Sequence, residues 1–189
     1  LYFTAIYKLN FPYSMDWLGI AYFHEYLTTG AFPYEKIFPA YNGHYIIFPR
    51  ILALPNLLYN SYDVGNLYFF QWGLLSLTLF FIYLLLRRTD KKLYWILIPI
   101  SAFIFSPLPN SNYWAFAILL WLLPPLGVVL ITYLLDKNHL NIKLLLSAIS
   151  IAVVTTLSSI IGIVVWLPGI ISLIRINPME KKLVDKRWL

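Results

Sequence analysis

The side chains able to do chemistry gather early in the chain. Asp16, His24, Glu25, Glu35, His44 and Arg50 all fall within SMDWLGIAYFHEYLTTGAFPYEKIFPAYNGHYIIFPR, residues 14–50. Carboxylates and imidazoles in such a cluster can exchange protons with a substrate, and a guanidinium can grip a phosphate through paired N–H donors. The spacing excludes other chemistries. No H-x-x-x-H or H-E-x-x-H occurs, so no metal-binding helix face is encoded. There is no cysteine, hence no disulfide, thiol nucleophile or thiolate metal site. Neither a Gly-rich phosphate loop nor a Ser-His-Asp order is visible.

These residues need elements to hold them. Ser14 is a suitable N-cap for a helix from Met15 to about Thr28, ended by Gly30 and Pro33. On a 3.6-residue period Trp17, Ala21 and His24 share one face, while Glu25 lies about 180° from Asp16, so the two acids cannot reach one small ligand from this helix. Beyond it, Pro33, Pro39, Pro49 and Pro55 cut the chain into pieces too short to cross a bilayer, expected to lie along its surface as interfacial helices and turns. Twelve of the forty residues from Phe11 to Arg50 are aromatic, a composition suited to the headgroup zone, where a ring with an apolar body and a polar tip is favoured.

Each candidate also has a plain explanation. Asp16 falls in a first helical turn, where the exposed N–H groups and the dipole favour a carboxylate by about 0.3–1 kcal/mol with no function required. His24 and Glu25 fit a solvated helix edge. An arginine such as Arg50 in a loop facing phosphate headgroups can simply bind lipid. Asp63 directly precedes a hydrophobic run and reads as an N-cap.

The rest of the chain is apolar. Sixty per cent of residues are hydrophobic, 12% are charged and the mean hydropathy is +0.72, against about 25% charged residues in ordinary globular chains. The expected fold class is therefore all-α, a polytopic transmembrane helix bundle with interfacial helices in the first outer loop. Leu1 to Tyr7 is too short to span and reads as the end of a truncated first helix (residues 1–9), and the opening LYFTAIY, with neither an initiator Met nor a basic leader, points to a piece of a longer protein. Residues 10–62 form the outer loop. Five spans are expected over residues 63–176: Val64 to Leu86, Leu93 to Phe105 with Pro99 inside, Tyr113 to Leu135 kinked near Pro124-Pro125, and two short ones from Leu144 to Ile176 with a turn at Ser158-Ser159 to Gly162. The connecting SPLPNSN is an uncharged outer turn. The net charge of +6 is carried by RRTDKK at 87–92, DKNHLNIK at 136–143 and the tail 177–189. All three fall on one side in this arrangement, so they read as cytoplasmic and not as a nucleic-acid surface, with the Asp16 loop extracytoplasmic in a cell membrane.

The Asp-Trp of the first outer loop, the NGHYIIFPRIL segment leading to the next span, the Trp-rich segment after PNSNYW and the later TLSSIIGIVVWLPGI together resemble the polytopic C-superfamily glycosyltransferases, in particular bacterial membrane proteins related to dolichyl-phosphate-mannose mannosyltransferases and aminoarabinose transferases. The resemblance extends over nearly the whole chain as a pattern of spans and loops. It implies a polyprenyl-phosphate sugar donor, attacked by an acceptor at the outer surface. Asp16 matches the first-loop acid that acts as general base or positions the acceptor, and Trp17, His24, His44, Tyr45 and Arg50 are the accompanying candidates for donor binding. This chain reads Asn42-Gly43-His44-Tyr45 where related proteins often show Asn-Glu-His-Arg, and SPLPNSN lacks their second-loop acid. No cofactor is expected, and a divalent metal has no ligand set to support it.

Two other classes share these features. A transporter or flippase of a lipid-linked saccharide would use the same aromatic and basic residues without acid chemistry, and a non-catalytic membrane subunit would need neither. The spans carry no Asp, Glu, Lys or Arg in their cores, which argues against a proton- or ion-coupled transporter.

Overall fold

A computed structural model describes residues 24–26, 28–31, 34–40, 43–60, 63–105, 115–136 and 141–175. The described residues are mostly helical, with no strand among their elements. Among the described residues six α-helices are delimited from Ile47 onward: α1 (Ile47–Asn60), α2 (Val64–Thr89), α3 (Leu97–Ile104), α4 (Ala115–Leu135), α5 (Ile142–Thr156) and α6 (Trp166–Arg175). Short 3₁₀ segments precede three of them, at Tyr34–Lys36, Lys91–Ile96 and Ile160–Val165.

The prolines do not divide residues 47–60 as the sequence led us to expect. α1 runs through both Pro49 and Pro55. Pro49 sits in the first turn, where its missing N–H would have had no partner, and Pro55 removes one hydrogen bond whose loss packing offsets. That packing lies along one stripe: Ile46, Pro49, Arg50, Ala53 and Asn56, at i, i+3, i+4, i+7 and i+10, are buried. The opposite face shows Ile51, Leu52 and Tyr59. The Nδ2 of Asn56 donates to the carbonyl of Asp63 at 2.8 Å, tying α1 to the start of the next helix.

Asp63 caps α2 as its position predicts, its Oδ1 accepting from the Gly65 N–H at 2.7 Å. α2 is about 39 Å long by helical rise. Within it, Gly65–Thr89 is long and apolar enough to cross a membrane, with mean hydropathy 1.9, and it is the one such helix among the described residues. Asp90 then ends α2 and caps the 3₁₀ segment, accepting from the Lys92 N–H at 2.8 Å. The expected span from Leu93 is thus a 3₁₀ turn followed by the eight residues of α3. It doubles back antiparallel to α2: Tyr94 meets Tyr83 (ring centroids 5.5 Å apart), and Phe105 stacks on Trp72 at 5.1 Å.

α4 runs parallel to α2 and unbroken through Pro124 and Pro125. The guanidinium of Arg88 lies 3.7 Å from the centre of the Tyr133 ring and its Nη1 donates to the Tyr133 carbonyl at 2.9 Å, so the two helices finish side by side. α5 returns against α4 through small residues, Ala148, Ala152 and Thr155, with Gly127 opposite Thr155. The apolar run from Leu144 breaks at Leu157–Ser159, overlapping the turn expected at Ser158-Ser159 to Gly162. α6 folds back, bringing Val165 into the Ile131–Leu135–Ala148–Ala152 cluster and Gly169 beside Ile131 and Leu135.

Helix direction therefore alternates from α2 to α6. Arg87, Arg88, Lys92 and Lys143 are gathered at one end. Hydroxyls along the helices are satisfied by their own backbones: Thr78 donates to Leu74, Thr132 to Val128, Thr155 to Ile151 and Thr156 to Ala152.

Candidate functional site

Residues 43–50 arrive at the far end of the bundle from the basic side chains. Gly43 takes φ +75°, a left-handed conformation that turns the chain at little cost only because it lacks a Cβ. His44 and Tyr45 follow, then α1. The segment is seated on the break between α5 and α6. The Ile47 N–H donates to the Leu157 carbonyl at 3.1 Å, and the Ile160 N–H reaches His44 Nδ1 at 3.4 Å, joining residues 116 positions apart in sequence.

The break itself is tightly made. The N–H groups of Ser158 and Ser159 both point to the Thr155 carbonyl, at 3.1 and 3.3 Å, and the Gly162 N–H donates to Ser159 at 2.8 Å. Ser158 Oγ donates to Val154 at 2.6 Å, and Trp166 Nε1 donates to Thr156 Oγ1 at 3.0 Å. Ser158, Ser159 and Gly162 are buried, and Gly162 passes so close to the Thr155 backbone that a Cβ would collide with it. The sequence marked this stretch only as a turn or packing device. No local signal reveals that it seats His44 and Ile47, although TTLSSIIG is the polar interruption in an otherwise apolar run.

The predicted site residues divide into three groups. His44, Tyr45 and Arg50 come together where α1 begins. His44 is half-buried and Tyr45 is exposed, whereas Arg50 is buried with only 6% exposure. Arg50 Nη1 donates to the carbonyls of Ile37 and Pro39 at 2.7 and 2.8 Å, so this nitrogen secures the preceding loop. His24 is exposed on a separate helical piece, closed by Thr28 Oγ1 donating to the His24 carbonyl at 2.8 Å and ended by Gly30 at φ +70°. Asp16 and Trp17 lie outside the described residues.

With Nδ1 accepting a hydrogen bond, the neutral His44 ring carries its proton on Nε2, which becomes a donor. His44 can thus offer an N–H to an anionic oxygen while its other nitrogen holds it to the turn. No three His, Asp or Glu side chains come together among the described residues, so these residues contain no ready-made metal site.

Among the described residues the architecture is mostly helical and has no strand. The chain matches no family model, no curated protein and no solved structure.

Proposed function

We propose that this chain belongs to a polytopic membrane glycosyltransferase that moves a sugar from a polyprenyl-phosphate donor to an acceptor at the outer face of a cell membrane. The observation that carries the reading is the seating of His44 and Ile47 on the Leu157–Ile160 turn, at the end of the bundle opposite Arg87, Lys92 and Lys143. A polar, aromatic pole and a basic pole at opposite ends suit a bundle whose basic end faces the cytoplasm.

Burial supports the membrane part of the reading. Only 11% of the apolar window of α2 is buried, the reverse of a core helix in a water-soluble protein. Phe80, Trp95, Ile98, Phe103, Leu146 and Ile174 are also among the exposed large side chains. Such a surface is stable against hydrocarbon and would aggregate in water.

The chemistry follows from the donor. Its prenyl chain stays in the bilayer, so its phosphate sits at the interface, beside the His44 loop. A carboxylate near the sugar accepts the acceptor's proton as the acceptor oxygen bonds to C1 and the bond from C1 to the phosphate oxygen breaks, a role worth about 10²–10⁴-fold that falls to Asp16. His44 Nε2–H is suited to meet the negative charge that develops on the departing phosphate. Arg50, through its grip on Ile37 and Pro39, keeps the loop in position.

Transfer of labelled sugar from a polyprenyl-phosphate donor, in membranes carrying the protein, tests this reading. Asp16→Asn is expected to abolish transfer with expression intact, and unchanged transfer removes Asp16 from the mechanism. Translocation of a lipid-linked saccharide across vesicles without transfer would make the protein a transporter. Absence of both activities, with a copurifying partner, would make it a structural subunit.

A further inference from the structure

The α2–α3 hairpin bears an open groove of about 400 Å³, lined by residues of α2 and α3. Ser76, Phe80 and Tyr83 line one wall, and Leu97, Ile98 and Ser101 line the other. The first wall continues at helical spacing, since Ser76, Phe80, Tyr83 and Arg87 fall at i, i+4, i+7 and i+11 along α2 and share one face. The second wall continues the same way: Lys92 and Trp95 eclipse one another in the 3₁₀ segment, one turn before Ile98. Both walls run from apolar groove to basic residue, and both basic residues stand at the same end. The side chains of Arg87 and Lys92 are exposed and make no hydrogen bond or ion pair among the described residues, unlike that of Arg88, which is engaged by Tyr133. Trp95 is 65% exposed beside them, in the position of an interfacial anchor.

We infer that this hairpin is a binding site for one anionic phospholipid of the cytoplasmic leaflet. An acyl chain lies in the groove between Phe80 and Ile98 and the headgroup phosphate rests against Arg87 and Lys92. The geometry favours a lipid over a free phosphate because the cations terminate an apolar channel rather than a polar pocket. Charge complementarity selects an acidic headgroup over a zwitterionic one. The inference rests on the membrane part of the proposed function and is independent of the transferase chemistry at the other end.

The test reconstitutes the full chain in phosphatidylcholine vesicles doped with spin-labelled phosphatidylglycerol or spin-labelled phosphatidylcholine, and reads the motionally restricted fraction of each. Phosphatidylglycerol is expected to be restricted preferentially, and Arg87→Ala and Lys92→Ala should each lower that preference about fivefold at low salt. Lys143→Ala, which removes a cation at the same end but off the groove, should change it far less. Ser101→Leu, a substitution suited to a lipid-facing surface, should reduce restriction of the labelled chain without altering helix content. Equal loss from Lys143→Ala and Arg87→Ala would reduce the effect to general surface charge and overturn the site, as would competition by glycerol phosphate in solution. A chain that fails to float with the vesicles refutes the membrane reading itself, whereas one that floats without lipid preference refutes only this site.

Discussion

Gly162 lies against the backbone of Thr155, so close that the hydrogen standing in for a side chain is all the space permits. The relation fixes the angle at which the chain leaves α5 and returns as α6, and with it the seat for His44 and Ile47. Gly162→Ala forces backbone to move and should destabilise the fold by about 1–3 kcal/mol, read from thermal unfolding in detergent. Gly73, on α2, has nothing within 4 Å of its Cβ position, so Gly73→Ala should be neutral or mildly stabilising through helix propensity. Equal losses at the two glycines would mean that the close approach is not what Gly162 provides.

A second glycine makes the α4–α5 contact testable by compensation. A Cβ on Gly127 would stand 2.5 Å from Thr155 Oγ1 and 3.1 Å from its Cγ2. Gly127→Ala alone should therefore destabilise. Combined with Thr155→Ala, which removes both of those atoms, it should cost less than the two single changes added together, by about 1 kcal/mol of coupling. Simple additivity in the double-mutant cycle would indicate that the two helices do not approach here.

Arg88 holds the basic end together by satisfying a carbonyl that the last turn of α4 cannot satisfy internally, while stacking on the ring of the same residue, Tyr133. Arg88→Ala should lower stability by about 1 kcal/mol, and Arg88→Lys should recover part of it, because an ammonium keeps the charge without the planar stack. A lysine variant as stable as the arginine protein would show that charge alone suffices.

The parts of the fold legible in sequence were those with a local cause. Asp63 announces α2 because a carboxylate before an apolar run meets free N–H groups. The break near Ser158 follows from the length of 144–176. The two-ended charge pattern follows from where Arg87, Lys92 and Lys143 sit between apolar runs. What could not be read was decided by partners distant in sequence. Pro49 and Pro55 looked like breakers, yet α1 passes through both because Ile46, Ala53 and Asn56 are buried on one face. The chemistry of His44 is legible in its residue type, but nothing local foretells that Ile160 is its neighbour. Arg50 looked like a headgroup ligand, and only the fold reveals that its Nη1 is engaged by Ile37 and Pro39.

The two-ended arrangement is open to direct measurement because the chain has no cysteine to remove first. Single-cysteine variants at Lys92 and Lys143 should react with a membrane-impermeant maleimide from the same side of sealed vesicles. Tyr45→Cys, at an exposed position beside the seat on the α5–α6 turn, should react from the other. Labelling of all three from one side would remove the outer-face site from consideration, however transfer assays came out.

Arg50 and His44 are close in sequence but should fail in different ways. Arg50 is buried and its Nη1 donates to two backbone carbonyls, and hydrogen bonds from a charged group contribute about 1.5–3 kcal/mol each. Arg50→Ala should thus lower stability by several kcal/mol and depress use of every lipid substrate alike. Arg50→Lys should not rescue it, since one ammonium on a flexible stem poorly reproduces a planar fork reaching two acceptors. His44 is only half-buried, and its bond to Ile160 is long at 3.4 Å, so His44→Phe should leave unfolding nearly unchanged. What it removes is the Nε2 donor, and sugar transfer should fall by about tenfold or more, the effect of losing one donor at a developing anion. Full transfer by the His44→Phe protein would separate this residue from the phosphate. A selective effect of Arg50→Ala on one donor, with stability intact, would return Arg50 to the binding surface from which its geometry now excludes one nitrogen.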